Sequence, residues 1–105
     1  MRTEVAILHH EYPPAIREHV TDKLQSLIKY FDGTVSLRAV LERQHDDHRV
    51  ELVANVPRGV TLVVDAQGES ITSALDESVD RMRRVLSRHK EKVKGAPRRR
   101  SRVRI

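Results

Sequence analysis

The last long stretch of the chain, residues 70–94, carries apolar side chains at steps of three, four or seven positions. These residues are Ile71, Leu75, Val79, Met82, Leu86 and Val93. At about 100° per residue they share one face of an α-helix, so the spacing predicts a helix that packs this face on a core. Ser70 is a favourable N-cap, Gly95 suits the left-handed position that ends a helix, and Pro97 prevents the helix from continuing.

A second helical pattern begins at Pro13 and Pro14. Pro14 suits the first helical position because a backbone N–H has no intrahelical partner there. The apolar face of this segment consists of Ile16, Val20, Leu24, Leu27 and Phe31. The pattern predicts a helix of about five turns, which ends at Asp32 with Gly33 as its left-handed cap.

Alternating apolar and polar residues predict four β-strands. The predicted strands span residues 3–9, 35–42, 49–56 and 60–66. A polar turn, QHDDH at residues 44–48, connects the second and third strands. Pro57, Arg58 and Gly59 make a tight connection between the third and fourth, because proline fixes φ and glycine accepts a positive φ.

The predicted element order is therefore β-α-β-β-β-α. A helix between the first two strands makes them parallel, and short connections make the last three strands an antiparallel meander. Each strand has one apolar face and each helix has one apolar stripe, so both helices should lie on the same side of the sheet. The sequence predicts an α+β fold, a two-layer sandwich with a four-stranded mixed sheet, whose outer helical surface is the natural docking face.

Length and composition narrow the class of protein. A chain of 105 residues makes one domain, and the absence of cysteine excludes disulfides and thiolate metal sites. No apolar run approaches the roughly 20 residues of a membrane span, and the N-terminus lacks the apolar core of a signal peptide. We expect a cytoplasmic protein with no membrane partner, in which residues 1–94 form the domain and residues 95–105 form a disordered basic tail.

Charge is distributed unequally along the chain. Residues 81–105 contain twelve Lys or Arg and one acid, whereas residues 1–80 contain eight basic and fourteen acidic residues, giving formal charges of +11 and −6. The last helix carries four cations on one flank of its apolar stripe, here called the cation row: Arg81, Arg84, Arg88 and Lys92. Such segregation favours a polyanion as the partner of the C-terminal part.

Catalytic and metal-binding patterns are weak in this sequence. There is no G-x-S-x-G, no phosphate-binding glycine loop and no H-E-x-x-H, so we predict no enzymatic activity, no small-molecule substrate and no cofactor. Four residues of the turn between the second and third strands have side chains that can ligate metals: His45, Asp46, Asp47 and His48. Residues of this kind at a hairpin tip are more often plain turn residues, so no metal site is predicted.

Three segments carry a resemblance to a known family. They are PAIREHVTDKLQSLIKYFD in the first helix, VPRGV between strands, and ITSALDESVDRMRRVLSRHKEKVK in the last helix. Through them, and through its element order, the chain resembles the short ribosome hibernation-promoting factors, which are related to ribosome-associated inhibitor A. The resemblance covers essentially residues 1–94.

The resemblance implies a protein that binds the small ribosomal subunit and its rRNA in the channel for mRNA and tRNA. It would act on the 70S ribosome and inhibit translation under stress or in stationary phase, and we expect it to be a monomer. The rRNA contacts implied by matching positions are Lys23 in the first helix and Arg81, Arg84, Arg88, Lys90 and Lys92 in the last, with Lys29 as a secondary candidate. Lys90 enters through the resemblance alone.

The chain also departs from this family. Ser26 stands where a second lysine often follows the position of Lys23, and the last residues read RRRSRVRI instead of an acidic tail. We also expect the second domain of the long members to be absent. Two alternatives remain open. One is a stand-alone binder of double-stranded RNA, and the other is a protein-interaction module whose basic helix meets an acidic partner. Binding through the cation row further requires that Arg81, Arg84 and Arg88 are not occupied by carboxylates of the same molecule and are not turned toward the sheet.

Overall fold

A mixed four-stranded sheet with two helices makes up the part of the chain that the computed structural model describes. That part comprises residues 2–8, 11–30 and 33–104, with side chains through residue 93. The elements are β1 (Arg2–Leu8), α1 (Pro14–Ser26), a 3₁₀ segment (Leu27–Tyr30), β2 (Ser36–Gln44), β3 (Asp47–Val56), β4 (Val60–Gly68) and α2 (Ile71–Arg104).

The sheet has the strand order β1-β2-β3-β4. β1 pairs with β2 in parallel, because α1 carries the chain back between them, and the pairs β2–β3 and β3–β4 are antiparallel. The predicted β-α-β-β-β-α sandwich is therefore confirmed, with strand bounds within two residues of those predicted in the described part of the chain.

The apolar faces of all four strands lie on one side of the sheet. Val5, Ala39, Leu52 and Val64 are neighbours across the sheet, one on each strand. Side chains alternate between the two faces of a strand, so this register places these four residues on the same face. Buried residues of both helices and of this sheet face form a single core cluster, so both helices cover one face, as predicted.

The first helix is shorter than predicted. It is α-helical only to Ser26 and continues as a 3₁₀ turn through Tyr30, whereas the pattern predicts one α-helix to Phe31. The hydroxyl of Ser26 donates a hydrogen bond of 2.6 Å to the carbonyl of Lys23, and such local side-chain bonds compete with the regular helical pattern. The predicted apolar residues Val20, Leu24 and Leu27 are buried. Phe31 and Asp32 lie outside the described residues.

The start of α2 confirms the predicted N-cap. The backbone N–H of Ser73 donates to the Ser70 hydroxyl oxygen at 3.1 Å, which satisfies one of the N–H groups that have no intrahelical partner at the helix start.

Replacing Ser70 with alanine should therefore destabilise the fold by about 1 kcal/mol, because this N–H loses its partner. The expected change is a fall of roughly 4–8 °C in the melting temperature, measured by circular dichroism. Ser70→Gly is the control, because glycine at an N-cap costs only a few tenths of a kcal/mol relative to serine. Equal melting temperatures for the alanine variant and the wild type would contradict the capping role.

The C-terminal part of α2 differs from the prediction. The backbone is helical to Arg104, past Gly95 where the sequence predicts the end. At 1.5 Å per residue a helix of 34 residues is about 51 Å long, whereas the nine residues of β4 span about 30 Å. The helix therefore extends beyond the sheet, and Val93, predicted to be in the core, is 46% exposed. The predicted division into residues 1–94 and a basic tail stays a prediction.

Both hairpin turns contain residues with positive φ. Gln44 pairs with Asp47, so the turn between β2 and β3 is shorter than the predicted QHDDH segment, and His45 in it has a φ of 58°. In the other hairpin Gly59 has a φ of 72°, as predicted, and Arg58 has a φ of 70°. Positive φ favours glycine, so the second turn uses its glycine where the backbone requires it.

Candidate nucleic-acid interface

The cation row lies on the flank of α2 that faces β4. Positions 81, 88 and 92 fall within about 40° of one another around the helix axis, and position 84 lies farther toward solvent. Near the end of the sheet, Arg88 and Lys92 line a shallow depression whose floor includes Leu62 of β4. The apolar stripe of α2 holds this flank in place because Met82 and Leu86 are fully buried.

Two members of the cation row are paired with carboxylates of their own helix. Arg81 Nη2 lies 2.6 Å from Glu77 Oε1, and Arg84 Nη2 bonds to Asp80 Oδ2. Both pairs are four residues apart, so they are neighbours on the helix surface. The requirement that Arg81, Arg84 and Arg88 stay clear of their own carboxylates therefore fails for the first two.

Arg81 also has a structural role at the edge of the sheet. Its Nη1 donates to the main-chain carbonyl of Asp65, in the edge strand β4, at 2.5 Å. The carboxylate of Asp65 in turn accepts a 2.9 Å hydrogen bond from Arg49 of β3. Edge strands expose main-chain groups to pairing with other chains, and this contact both covers one of them and ties α2 to β4.

Arg88 and Lys92 form the unpaired end of the cation row. Both are exposed, and in the part of the chain whose side chains the structure describes neither makes an ion pair or hydrogen bond. Glu91, three positions after Arg88, forms no ion pair with it. These two cations are therefore available to an external anion without first giving up an internal partner.

Lys90 does not belong to the cation row. It follows Arg81 by nine positions, which at 100° per residue places it about half a turn away, on the flank that faces α1. There it is partly buried. Of the predicted residues, the structure thus brings Arg88 and Lys92 together and separates Lys90 from them.

The two lysines predicted in the first helical segment lie on α1 and on the 3₁₀ segment that follows it. Lys23 Nζ lies 3.8 Å from Asp76 Oδ1 of α2, so it bridges the two helices. Lys29 Nζ lies 5.3 Å from the centroid of the Tyr30 ring, at a distance typical of a cation–π contact. Of the two lysines, only Lys23 has a contact with α2 among the described residues.

Arg83 is a further cation of α2 at the candidate interface, and the sequence analysis did not name it. Its guanidinium carbon lies 5.8 Å from the Tyr30 ring centroid, and its Nη2 lies 2.5 Å from Asp80 Oδ1. The available signal was the spacing of seven that relates Asp76, Arg83 and Lys90, which puts all three on the flank facing α1. The contact with Tyr30 has no such signal because it depends on how the 3₁₀ segment packs against α2.

Asp80 is shared by two arginines. One carboxylate oxygen accepts from Arg83 and the other from Arg84. The hydrogen bond from Arg83, with the charges of Arg84 and Arg83, holds the pKa of the Asp80 carboxyl below its ordinary value, and desolvation opposes this only in part. The carboxylate is therefore ionised throughout the neutral range, where it neutralises part of the positive charge at the middle of α2.

Replacing Arg83 with glutamine should raise the pKa of Asp80 toward the ordinary value of an aspartate, because the largest cause of the shift is removed. Because the pKa is lowered by folding, the stabilisation from Asp80 is present above its unfolded pKa and is lost as the pH falls through the folded value. NMR titration of the carboxyl carbon measures the midpoint in both proteins. An unchanged midpoint in the variant would contradict the contact.

The possible metal ligands of the β2–β3 turn are not gathered into a site. The side chain of His45 is exposed, and His48 Nδ1 lies 2.6 Å from the hydroxyl of Tyr12. Within the described residues no three His, Cys, Asp or Glu side chains are placed to hold a metal ion. Nor does any helix there have the length and apolar character to cross a bilayer.

Comparison with known proteins identifies the family. Residues 4–94 match the family model described as Sigma 54 modulation protein / S30EA ribosomal protein. The chain belongs to this family. The match covers α1, β2, β3 and β4, most of β1, and α2 as far as residue 94, including the flank that carries the cation row.

Individual relatives of the S30EA family agree with this assignment. A ribosome hibernation promoting factor of Escherichia coli K12 is 32% identical over 84 residues, which are 80% of this chain and 87% of that protein. The N-terminal domain of Thermus thermophilus Protein Y is 28% identical, with a TM-score of 0.73 over 82% of this chain and 94% of that one. A ribosomal subunit interface protein of Coxiella burnetii shares the fold, with a TM-score of 0.79 at 19% identity over 87% and 99% of the two chains.

Proposed function

We propose that this protein is a ribosome hibernation factor that binds the small ribosomal subunit in the channel for mRNA and tRNA. There it inhibits translation under stress or in stationary phase, as a cytoplasmic monomer. The proposal is supported by membership of the S30EA family and by the names of the relatives, a hibernation promoting factor and a ribosomal subunit interface protein. The observation that carries it is the pair of unpaired cations, Arg88 and Lys92, on the flank of α2 that faces β4.

The proposed contact is with rRNA phosphates. The arginine guanidinium donates two parallel hydrogen bonds to phosphate oxygens, and lysine supplies a point charge. Contacts of this kind fix position without reading bases, so recognition depends on the arrangement of phosphates in the folded rRNA. Arg88 and Lys92 lie one helical turn apart on a helix anchored by a buried stripe, which gives them a fixed spacing.

Occupancy of the channel is sufficient for inhibition. A domain held between the head and the body of the small subunit excludes mRNA and tRNA from the same space, so no chemical step is needed. The positive charge of the C-terminal part, +11 over residues 81–105, adds long-range attraction to rRNA and increases the association rate. We therefore expect binding to weaken steeply with salt, by roughly 0.7–0.9 log units in affinity per tenfold salt for each phosphate contacted.

Sedimentation through a sucrose gradient tests this function. The purified protein is mixed with 30S subunits, 50S subunits and 70S ribosomes in separate tubes, and its position is read by immunoblot. We expect it to travel with 30S and 70S particles and to stay at the top with 50S subunits. Cosedimentation with 50S alone, or with none of the particles, would refute the proposal.

The alternative function, a stand-alone binder of duplex RNA, makes a different prediction. It requires tight binding to a free duplex of about 16 base pairs, whereas a ribosome-shaped partner implies weak binding to that duplex. The chain has only three aromatic residues, two Tyr and one Phe, so base stacking on single strands is not the main mode. Fluorescence anisotropy with the labelled duplex separates the two functions.

A further inference from the structure

The carboxylate of Asp80 lies between two arginines of α2 and accepts a hydrogen bond from each of them. Its two oxygens bind two different guanidinium groups, those of Arg83 and Arg84. A carboxylate presents its oxygens to guanidinium donors much as a phosphate does, so it uses the same hydrogen bonds. All three side chains are partly exposed, which leaves the pairs open to exchange with an outside anion.

Among the side chains that the structure describes, the carboxylates of α2 form ion pairs with cations of α2 only up to residue 84. Glu77 and Asp80 precede Arg81 and Arg84 by one helical turn. The positions three and four before Arg88 are valine and arginine, so no acid stands there. Internal neutralisation therefore stops at residue 84, and the unpaired end of the cation row begins beyond it.

We propose that Asp80 is a specificity-determining residue, which acts as an internal phosphate mimic and restricts RNA contact to the unpaired end of α2. The inference rests on the proposed function and adds to it the residue that limits which RNA is accepted. An RNA whose phosphates meet α2 at Arg88 and Lys92 leaves the Asp80 pairs intact. An RNA that approaches the middle of the helix must displace this carboxylate and meets its negative charge.

The size of the effect follows from the exposure of these pairs. An exposed ion pair changes an equilibrium by at most about fivefold, and Asp80 takes part in two of them. Removing its charge also removes repulsion of nearby phosphates. Neutralisation should therefore raise affinity for free duplex RNA roughly three- to tenfold. Affinity for the small subunit should change less than twofold, because the contacts proposed there do not involve the middle of the helix.

Asp80→Asn is the test variant and Asp46→Asn is its matched control. Both substitutions remove one negative charge and are nearly isosteric. Asp46 lies in the β2–β3 turn with an exposed side chain, and within the described residues it takes part in no ion pair. Asp80→Glu keeps the charge and should retain wild-type affinity. Thermal unfolding of each variant shows whether it is folded at the temperature of the binding assay.

The binding assay measures dissociation constants for a 16-base-pair RNA duplex and for 30S subunits at about 0.1 M salt. The inference is supported if Asp80→Asn binds the duplex at least threefold more tightly than the wild type while Asp46→Asn does not. The inference is overturned if Asp80→Asn and Asp46→Asn gain the same affinity for the duplex, because that is an effect of net charge. It is also overturned if neither variant gains affinity for the duplex, or if the affinity of Asp80→Asn for 30S subunits rises as much as its affinity for the duplex. If the proposed function is wrong, the wild-type protein does not bind 30S subunits at all. The comparison of Asp80→Asn with Asp46→Asn on the duplex then still decides the role of Asp80.

Discussion

The double substitution Arg88→Glu with Lys92→Glu should lower affinity for the small ribosomal subunit at least about a hundredfold at 0.1 M salt. Two charge-assisted contacts are lost, each typically about 1.5–3 kcal/mol, and two carboxylates then face rRNA phosphates. Neither side chain makes an ion pair or hydrogen bond among the described residues, so the substitutions break no such bond in that part of the chain. Sedimentation and filter binding with 30S subunits measure the loss.

The salt dependence gives an independent readout of the same contacts. Loss of two phosphate contacts should reduce the slope of log affinity against log salt by roughly 1.4–1.8. The control Arg2→Glu with Arg43→Glu makes the same change in net charge on β1 and β2, whereas α2 packs on β3 and β4. If the control loses as much affinity as the test variant, the interface is not on this flank of α2.

Arg81 is a poorer position for such a test, although the sequence places it first in the cation row. Charge reversal there removes the hydrogen bond to the Asp65 carbonyl and sets a second carboxylate beside Glu77. A loss of ribosome binding in Arg81→Glu would therefore have two causes, a change in the packing of α2 and a change in the interface, which the measurement does not separate. Substitutions at residues 88 and 92 therefore test the interface more directly than substitutions at residues 81 and 84.

Leu86→Ala should destabilise the domain by about 2–5 kcal/mol, because its fully buried side chain leaves a cavity between α2 and the sheet. For a domain of this size the corresponding fall in melting temperature is about 10–25 °C. Thermal and urea unfolding, followed by circular dichroism, measure it. This is a large fraction of the total stability of about 5–15 kcal/mol that a small domain has.

Glu91→Ala is the control for the core substitution. Glu91 is exposed and makes no ion pair among the described residues, so its removal should change stability by no more than about 0.5 kcal/mol. A loss of less than 1 kcal/mol in Leu86→Ala would show that α2 is not packed on the sheet along this stripe. The fixed spacing of Arg88 and Lys92 would then lose its structural basis.

Much of the fold could be predicted because its patterns are local. Alternation along 35–42 and 49–56, and the 3.6-residue period of the last helix, follow from the geometry of strands and helices alone. The sequence does not reveal where α1 becomes a 3₁₀ helix, because Ser26 does not interrupt the spacing of the apolar residues in this segment. Nor does the period show that Val93 lies beyond the end of the sheet, since that depends on the relative lengths of α2 and β4.

The candidate interface was predicted in part for the same reason. The flank that carries the cation row follows from spacing, and the pairs Glu77–Arg81 and Asp80–Arg84 were also within reach of the sequence, since residues four apart are neighbours on a helix. The contact of Arg81 with the Asp65 carbonyl joins residues 16 positions apart on different elements, and no local rule supplies it.

By itself, the sequence determined the element order, the buried faces, the family resemblance and the flank of α2 that carries its cations. These depend on residue spacing and charge, which short-range geometry converts directly into structure. Only the tertiary structure decided which cations are open: Arg81 is tied to β4, Lys23 to α2, and Arg83 to the Tyr30 ring. The physical reason is that a long side chain can reach any partner that the packing of separate elements brings near it. The distances between side chains on different elements do not follow from residue spacing along the chain.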